Sequence, residues 1–465
     1  MNHKFLALPI AILAAVFSSC TEQNTSEKGY KIENGVIVFD TPEPEAGQED
    51  MLLFAAEPID TVRVGIIGLG MRGPGAVKRF TYIDGVQVTA LCDIEKDRIE
   101  NSQEILRKAG KPEAAEYAGE EAWKQLCDRK DINLVYICTP WQSHVEMAAY
   151  AMKHGKHVAV EVPAATTVAD CWQLVNVSEQ TRKHCMMLEN CVYDFYELTA
   201  LNMAQQGLFG EIVHAEGAYI HNLSEIWKSY YDNWRLDYDQ AHAGDVYATH
   251  GLGPDCQILN IHRGDKMDYL VSMATKSVAG LEIAKEQMGA ETFANGDQTS
   301  TLIRTENGKT ILLQHNVYTP RPYDRMYQVV GTKGYAEKYP FPGFAFEPEQ
   351  IDSNSAFEDL SAHSFVSKNT YDKLIEKYKS PIVKDIEEKA KEVGGHGGMD
   401  FIMDYRLIWC LRNGKPLDMD VYDAAEWSCI GELTAASIEN GSMPVKVPDF
   451  TRGRWQKIKG YRHSN

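Results

Sequence analysis

Gly68-Leu69-Gly70-Met71-Arg72-Gly73 has the residue types and spacing of a turn that could hold a pyrophosphate. The first glycine permits a tight turn, the second lets backbone approach phosphate, and the third allows close helix–strand packing. A helix opening there would add unpaired N–H groups and the positive end of its dipole. Asp93 follows twenty residues after Gly73. At that distance a carboxylate can accept hydrogen bonds from the adenosine ribose and repel a 2′-phosphate, which favours NAD over NADP. A glycine motif alone is weak, and its context decides. Two other stretches point to the same crevice: Thr139-Pro140-Trp141-Gln142-Ser143-His144 and Glu161-Val162-Pro163. Ser143 also suits a helix N-cap.

These residues need strands to carry them. VRVGIIGLG is a short apolar run ending in glycines, as a buried parallel strand should be. VQVTALCD, LVYICTP, HVAVEVP and HCMMLEN read as further strands, with helical periodicity between them, as in IEKDRIENSQEILRKAG. Alternation of this kind predicts a doubly wound parallel sheet. After about residue 210 the pattern becomes EIVHAEGAYIH, DYLVSMATKSV, QTSTLIRTENGKTILLQHNVY and DRMYQVVGTKG, strands of a mostly antiparallel sheet. The Asn-Gly of ENGK marks a hairpin. No long helix separates the later strands, so crossovers are not expected there. Helices return near Phe401 to Arg412 and Ala424 to Glu439. The expectation is an α/β chain: a Rossmann domain over 61–192 and an α+β domain with an open sheet over 193–465.

The 465 residues suit two domains plus an export segment. A hydrophobic share of 44% and a charged share of 24% are ordinary for a globular chain. The net charge of −19 argues against nucleic acid and anionic lipid and favours a neutral substrate. Lys4, the apolar run Phe5 to Phe17, and Ser18-Ser19-Cys20 have the layout of a secretory signal. Small residues before a cysteine look like a bacterial lipobox, so residues 1–20 are read as a lipoprotein signal peptide with Cys20 acylated. The expected location is the cell envelope, periplasmic or surface, with membrane contact through the anchor alone. Residues 21–60, polar and rich in Pro and Glu, are read as a linker. Nine cysteines remain without a Cys-x-x-Cys pair, so buried free thiols are expected. His396 and Asp400 are read as a helix start with an Asp cap, and no metal is expected.

At Thr139-Pro140 and Glu161-Val162-Pro163 the chain resembles the Gfo/Idh/MocA oxidoreductases, whose fourth strand ends in Glu-Lys-Pro. Val162 stands where that family's redox lysine would be, and an apolar side chain moves no proton. The closer resemblance is to glycoside hydrolase family 109, the NAD-dependent α-N-acetylgalactosaminidases. It rests on GLGMRG (68–73), TPWQSH (139–144), EVPAATT (161–167), MLENCVY (187–193), QGLFGEIVHAEGAYIH (206–221), NWR (233–235), YATHGLGP (247–254), ILNIHRG (258–264), RPY (321–323), GGHGGMDF (394–401) and LDMDVYDAAEW (417–427). The resemblance implies cofactor contacts at Met71, Arg72, Asp93, Trp141 to His144 (Trp141, Gln142, Ser143, His144), Glu161, Val162, Asn190, Tyr247, Ala248, Thr249 and His250. Implied sugar contacts are Tyr219, Arg235, Tyr247 and Tyr323. The implied reaction is oxidation at C3 of the sugar, loss of the C2 proton, elimination of the aglycone, water addition and return of the hydride, with retention at C1. His250 is the expected proton-transfer group, with Tyr247 orienting the sugar or sharing that role. The expected substrate is a small molecule or glycan ending in an amino sugar, and a homo-oligomer is an open expectation. A sugar dehydrogenase and a non-catalytic glycan-binding lipoprotein stand as alternatives.

Overall fold

The computed structural model describes residues 29–351, 357 and 359–465. The signal peptide and Cys20 lie outside the described residues. The chain enters through Tyr30–Glu33 (β1) and Val36–Phe39 (β2), an antiparallel hairpin turning on Asn34 and Gly35, both with positive φ.

Six parallel strands follow: β3 (Val62–Ile67), β4 (Val86–Asp93), β5 (Ala115–Ala118), β6 (Leu134–Ile137), β7 (His157–Val160) and β8 (Cys185–Met187). Their order is β5-β4-β3-β6-β7-β8. Strand order reverses between β3 and β6, and ligands of open α/β sheets bind outside the carboxyl ends at such a point. GLGMRG and the Thr139-Pro140 turn follow those two strands. The edge strand β5, sequence AEYA, was not anticipated: its residues have neither the apolar run nor the β-branching that marks the others.

The second sheet takes in β1, β2 and eight more strands: β9 (Ile212–Ile220), β10 (Met267–Ala274), β11 (Thr299–Thr305), β12 (Thr310–Asn316), β13 (Asp324–Gly331), β14 (Gly334–Glu337), β15 (Gly343–Phe346) and β16 (Val445–Lys446). Its order is β1-β2-β16-β10-β11-β12-β9-β13-β14-β15. Most pairs are antiparallel, including the β11–β12 hairpin at Asn307-Gly308. The central pair β12–β9 is parallel, contrary to the expectation of no crossover. Helix Thr249–Leu259 and strands β10 and β11 lie between the two in the chain, long enough to return it in the same direction. That helix presses on β9 through paired glycines: a Cβ on Gly251 would sit 2.3 Å from the Ala218 nitrogen.

Two further sequence expectations need correction. Residues 30–60 are no free linker, because β2 pairs with β16, and Ile37, Phe39 and Met51 are buried. Few apolar residues among many polar ones hid that docking. The single helix expected over Ala424 to Glu439 is two, Val421–Ser428 and Ile430–Glu439, the first opened by an Asp420/Asp423 capping box. Helix Val421–Ser428 packs on helix Val168–Thr181 and on β8. Helix Met399–Asn413 also reaches the first sheet: Asp404 accepts hydrogen bonds from Arg79 (2.6 Å) and the Tyr136 hydroxyl (2.9 Å). The C-terminal helices therefore complete the Rossmann half, and one continuous core spans both sheets.

Candidate active site

A cavity of about 830 Å³ opens at the strand-order reversal, lined by both halves of the chain. Its floor is the glycine turn after β3. A Cβ on Gly68 would lie 2.7 Å from Cys138 backbone, and one on Gly73 only 2.1 Å from the Gly68 oxygen. Both positions therefore require glycine. Gly70 has open space, with Arg98 Nη1 the nearest atom at 3.9 Å, so its backbone is free to meet a ligand. Helix Gly73–Phe80 begins here with no side-chain cap, leaving its N–H groups for an anion. Asp93 ends β4 at the cavity edge; it accepts from the Leu69 N–H (2.6 Å) and lies 3.4 Å from Arg98 Nη1. Asp93 thus holds the turn as well as lining the cavity. This donor set fits a dinucleotide.

Not every residue assigned to the cofactor reaches the cavity. Met71, Arg72, Trp141, Glu161, Val162, Asn190, Tyr247 and His250 line it. Gln142, Ser143, His144, Ala248, Thr249 and Gly73 do not. His144 is buried between two carbonyls, Thr139 and Pro163, at 2.8 Å each, so it clamps one strand-end turn to the other. Ser143 donates to Thr139 Oγ1 or Pro140 O and makes no cap bond.

The candidate sugar residues do converge. Tyr219 on β9 lies 4.5 Å from Tyr247 and 5.4 Å from His250, ring centre to ring centre. Tyr219 shares a 3.0 Å hydrogen bond with His221, whose ring meets that of Tyr323 edge-on at 5.0 Å. Arg235 is buried in an aromatic cage, its guanidinium 4.3 Å from the centre of Tyr247 and 5.0 Å from that of Trp141. It donates to the Tyr230 hydroxyl at 2.7 Å, while its buried Nε–H has no partner. A buried, half-satisfied guanidinium beside a cavity suits a neutral ligand oxygen. Burial pushes the Tyr219 phenol up to about 12. Burial, then the charges of Arg235, His250 and His396, bring His221 down to about 4.

One buried polar contact at the cavity was missed from sequence. Glu189, just past β8, is buried and accepts from His250 Nδ1 through both oxygens, at 2.8 and 2.9 Å. Burial alone would raise its carboxyl, yet the His250 charge and hydrogen bond hold it below its ordinary value. With Nδ1 occupied, His250 presents Nε2, 3.5 Å from the Tyr247 hydroxyl. An acid at the carboxyl end of a parallel strand was the available signal. Cys191 joins Glu189 and His250 within metal-ligand reach. Burial raises its thiol well above the usual value, and both Glu189 oxygens already face His250 Nδ1.

His396 and Asp400 also differ from expectation. Asp400 caps nothing: it receives Asn190 Nδ2 (2.5 Å), His396 Nδ1 (3.0 Å) and Arg72 Nη1 (3.3 Å). Arg72 meanwhile donates to Glu161 at 2.7 Å. Burial alone would raise the Asp400 carboxyl, but His396 and the charges of Arg72 and Arg79 hold it far below the carboxylate range.

A parallel sheet with a glycine-lined dinucleotide turn, faced across a cavity by an aromatic and imidazole cluster, defines a class: two-domain NAD-binding proteins of the oxidoreductase type. Residues 62–189 match the family model for the oxidoreductase family with an NAD-binding Rossmann fold. Residues 193–457 match that for the glycosyl hydrolase 109 C-terminal domain. A glycosyl hydrolase family 109 protein of Bacteroides thetaiotaomicron is 62% identical over 449 residues, covering 96% of each chain. One from Bacteroides fragilis is 63% identical over 433 residues, covering 92% of this chain and 93% of its own. A solved levoglucosan dehydrogenase in complex with NADH and L-sorbose shares the fold at a TM-score of 0.63 and 18% identity, over 84% of this chain and 100% of its own. The chain belongs to glycoside hydrolase family 109, and its cofactor is NAD.

Proposed function

We propose that this glycoside hydrolase removes terminal α-linked N-acetylgalactosamine with retention at C1, by transient oxidation at C3, elimination and water addition. One observation carries the reading. Of the cavity's inner carboxylates, Asp93 holds the glycine turn and Glu161 is paired with Arg72, while an imidazole backed by Glu189 sits among the sugar-facing tyrosines. Direct displacement at C1 needs two carboxyl groups flanking the bond, and NAD-dependent glycosidases are exceptions to that pattern.

Bound NAD supplies reversible hydride exchange at C3, which acidifies the neighbouring C2–H long enough for the C1–O bond to be lost and remade. Gly68, Gly70, Asp93 and the start of helix Gly73–Phe80 would hold it. The chain's own residues do the rest. His250 Nε2 takes the O3 proton, and Glu189 stabilises the imidazolium through Nδ1–H. Tyr247, buried beside it, fixes the direction of approach. Arg235 offers its guanidinium to the acetamido oxygen, and Tyr219 and Tyr323 border the hydroxyls. Val162 lines the cavity and moves no proton, which leaves proton transfer to the second domain's side chains.

The test is an aryl α-N-acetylgalactosaminide with absorbance followed at two wavelengths. The proposal expects phenol release over many turnovers without accumulation of NADH. Stoichiometric NADH would instead mark a sugar dehydrogenase, and binding without turnover a glycan-binding protein. From residues 1–20 we also infer export and acylation at Cys20, which incorporation of labelled fatty acid into the wild type and not into Cys20→Ser would support.

A further inference from the structure

Two imidazoles of the cavity are each backed by a buried carboxylate, and His396 Nδ1 also lies 3.5 Å from Arg72 Nη1 and from Asn190 Nδ2. Each sets Nδ1 against a buried carboxylate, His250 on Glu189 at 2.8 Å and His396 on Asp400 at 3.0 Å, and each leaves Nε2 available. They differ in exposure: the His250 side chain is 14% exposed and that of His396 54%. His396 is also the one side chain in a run, Gly394 to Gly398, whose φ angles are 80, 86, 46, 74 and 113°. Left-handed backbone at a non-glycine residue is strained and persists where its surroundings impose it. The surroundings here are tight. A Cβ on Gly395 would meet that of Asp400 at 2.7 Å, and one on Gly398 the Ala390 oxygen at 2.9 Å. Asp400 is itself held by Arg72 and Asn190. A strained loop thus keeps a carboxylate-backed, solvent-exposed imidazole in the lining of the cavity.

We propose that His396 is the proton-transfer residue for the glycosidic oxygen, acting as acid when the aglycone departs and as base when water enters, while His250 serves O3. This rests on the redox–elimination reading above. Once the C2 proton has been taken, its electron pair forms the C1=C2 bond and the C1–O bond breaks. The departing oxygen takes the proton of His396 Nε2, so the aglycone leaves as a neutral alcohol. Water then adds at C1, giving its proton to the neutral imidazole, while the group that took the C2 proton, having exchanged with solvent, returns a proton to C2. His396 ends protonated, as it began. Alcohol and water both pass the cavity mouth, and retention at C1 has them use one face, so a single exposed group can serve both steps.

The experiment uses α-N-acetylgalactosaminides of dinitrophenol and of phenol with the full chain and two variants. His396→Asn keeps a residue that tolerates left-handed backbone, and His396→Gly relieves the strain. The expected kcat/KM loss is about 100-fold or more on the phenyl glycoside but within about threefold on the dinitrophenyl glycoside, whose leaving group needs no acid. Added imidazole restores the glycine variant on the phenyl substrate. Bound NAD per chain stays at the wild-type level, and the C2 proton of unreacted phenyl glycoside still exchanges into heavy water. Equal losses on both substrates, loss of bound NAD, or no loss at all would overturn the assignment. A wild type that neither exchanges the C2 proton nor releases phenol would overturn the underlying reading with it.

Discussion

At the scale of single residues, the site is a set of imidazoles disciplined by buried carboxylates. His250→Ala should lower kcat by about 10²–10⁴-fold, the usual contribution of a positioned acid/base. Glu189→Gln keeps the shape and loses the charge that favours the imidazolium. Its kcat should therefore fall within that range with KM little changed, the mark of an interaction made in the transition state. Steady-state kinetics on the aryl glycoside separates the two parameters. His250 was legible in the YATHGLGP stretch, whereas Glu189 was not. The two are 61 residues apart, and they meet only because helix Thr249–Leu259 packs against Glu189 and the turn Asn190–Tyr193 that follows β8. Short-range patterning carries no trace of a contact made by tertiary packing. The same gap explains Asp400: an acid at a helix start reads as a cap, and besides the neighbouring His396 its partners Arg72 and Asn190 come from two distant segments.

At the scale of elements, two turns determine whether the site exists. Gly73→Ala would drive a Cβ onto the Gly68 carbonyl, so the dinucleotide turn must open. We expect that variant to be purified without NAD, as mass spectrometry of denatured protein would reveal. The other turn is Asp245 to Tyr247, which leads into helix Thr249–Leu259. Asp245 Oδ1 accepts the Tyr247 N–H while Oδ2 is buried without a partner. Burial pushes this carboxyl up from 3.8 to about 7. In the folded chain the proton is held across that interval, whereas the unfolded chain has released it. Stability from this group is full below the lower value and is lost as pH rises through the upper one. Asp245→Asn has no such proton to lose. Its melting temperature relative to wild type should be higher at pH 8 than at pH 4, and an equal difference at both would refute the assignment. The glycine turn was readable from sequence because its spacing is local. The parallel β12–β9 pair was not, since only a count of the intervening elements, and not any periodicity, implies it.

At the scale of the whole molecule, the C-terminal helices tie the sugar-facing half to the dinucleotide half. Arg79 and Asp404 form a buried pair at 2.6 Å between helices Gly73–Phe80 and Met399–Asn413. Removing one member of such a pair strands the other, at a cost of about 3–5 kcal/mol. Arg79→Leu should lower the melting temperature of both halves together, seen as one shifted transition in calorimetry. The two sheet types were apparent from the change in patterning near residue 210. The tie was invisible, because a division at 192/193 assigns every later helix to the second sheet. The docked hairpin at residues 30–39 makes the same point from the other end of the chain.

Hydride that leaves C3 and returns to C3, with a C2 proton exchanged on the way, distinguishes the proposed chemistry from ordinary glycoside hydrolysis and from ordinary sugar oxidation. The most direct measurement follows an aryl α-N-acetylgalactosaminide deuterated at C3 through complete turnover in light water, and the undeuterated compound in heavy water. We expect the first product to keep its deuterium at C3 and the second to gain one at C2, with no net NADH. A product whose C2 proton never exchanged, or a ketone accumulating with stoichiometric NADH, would contradict it.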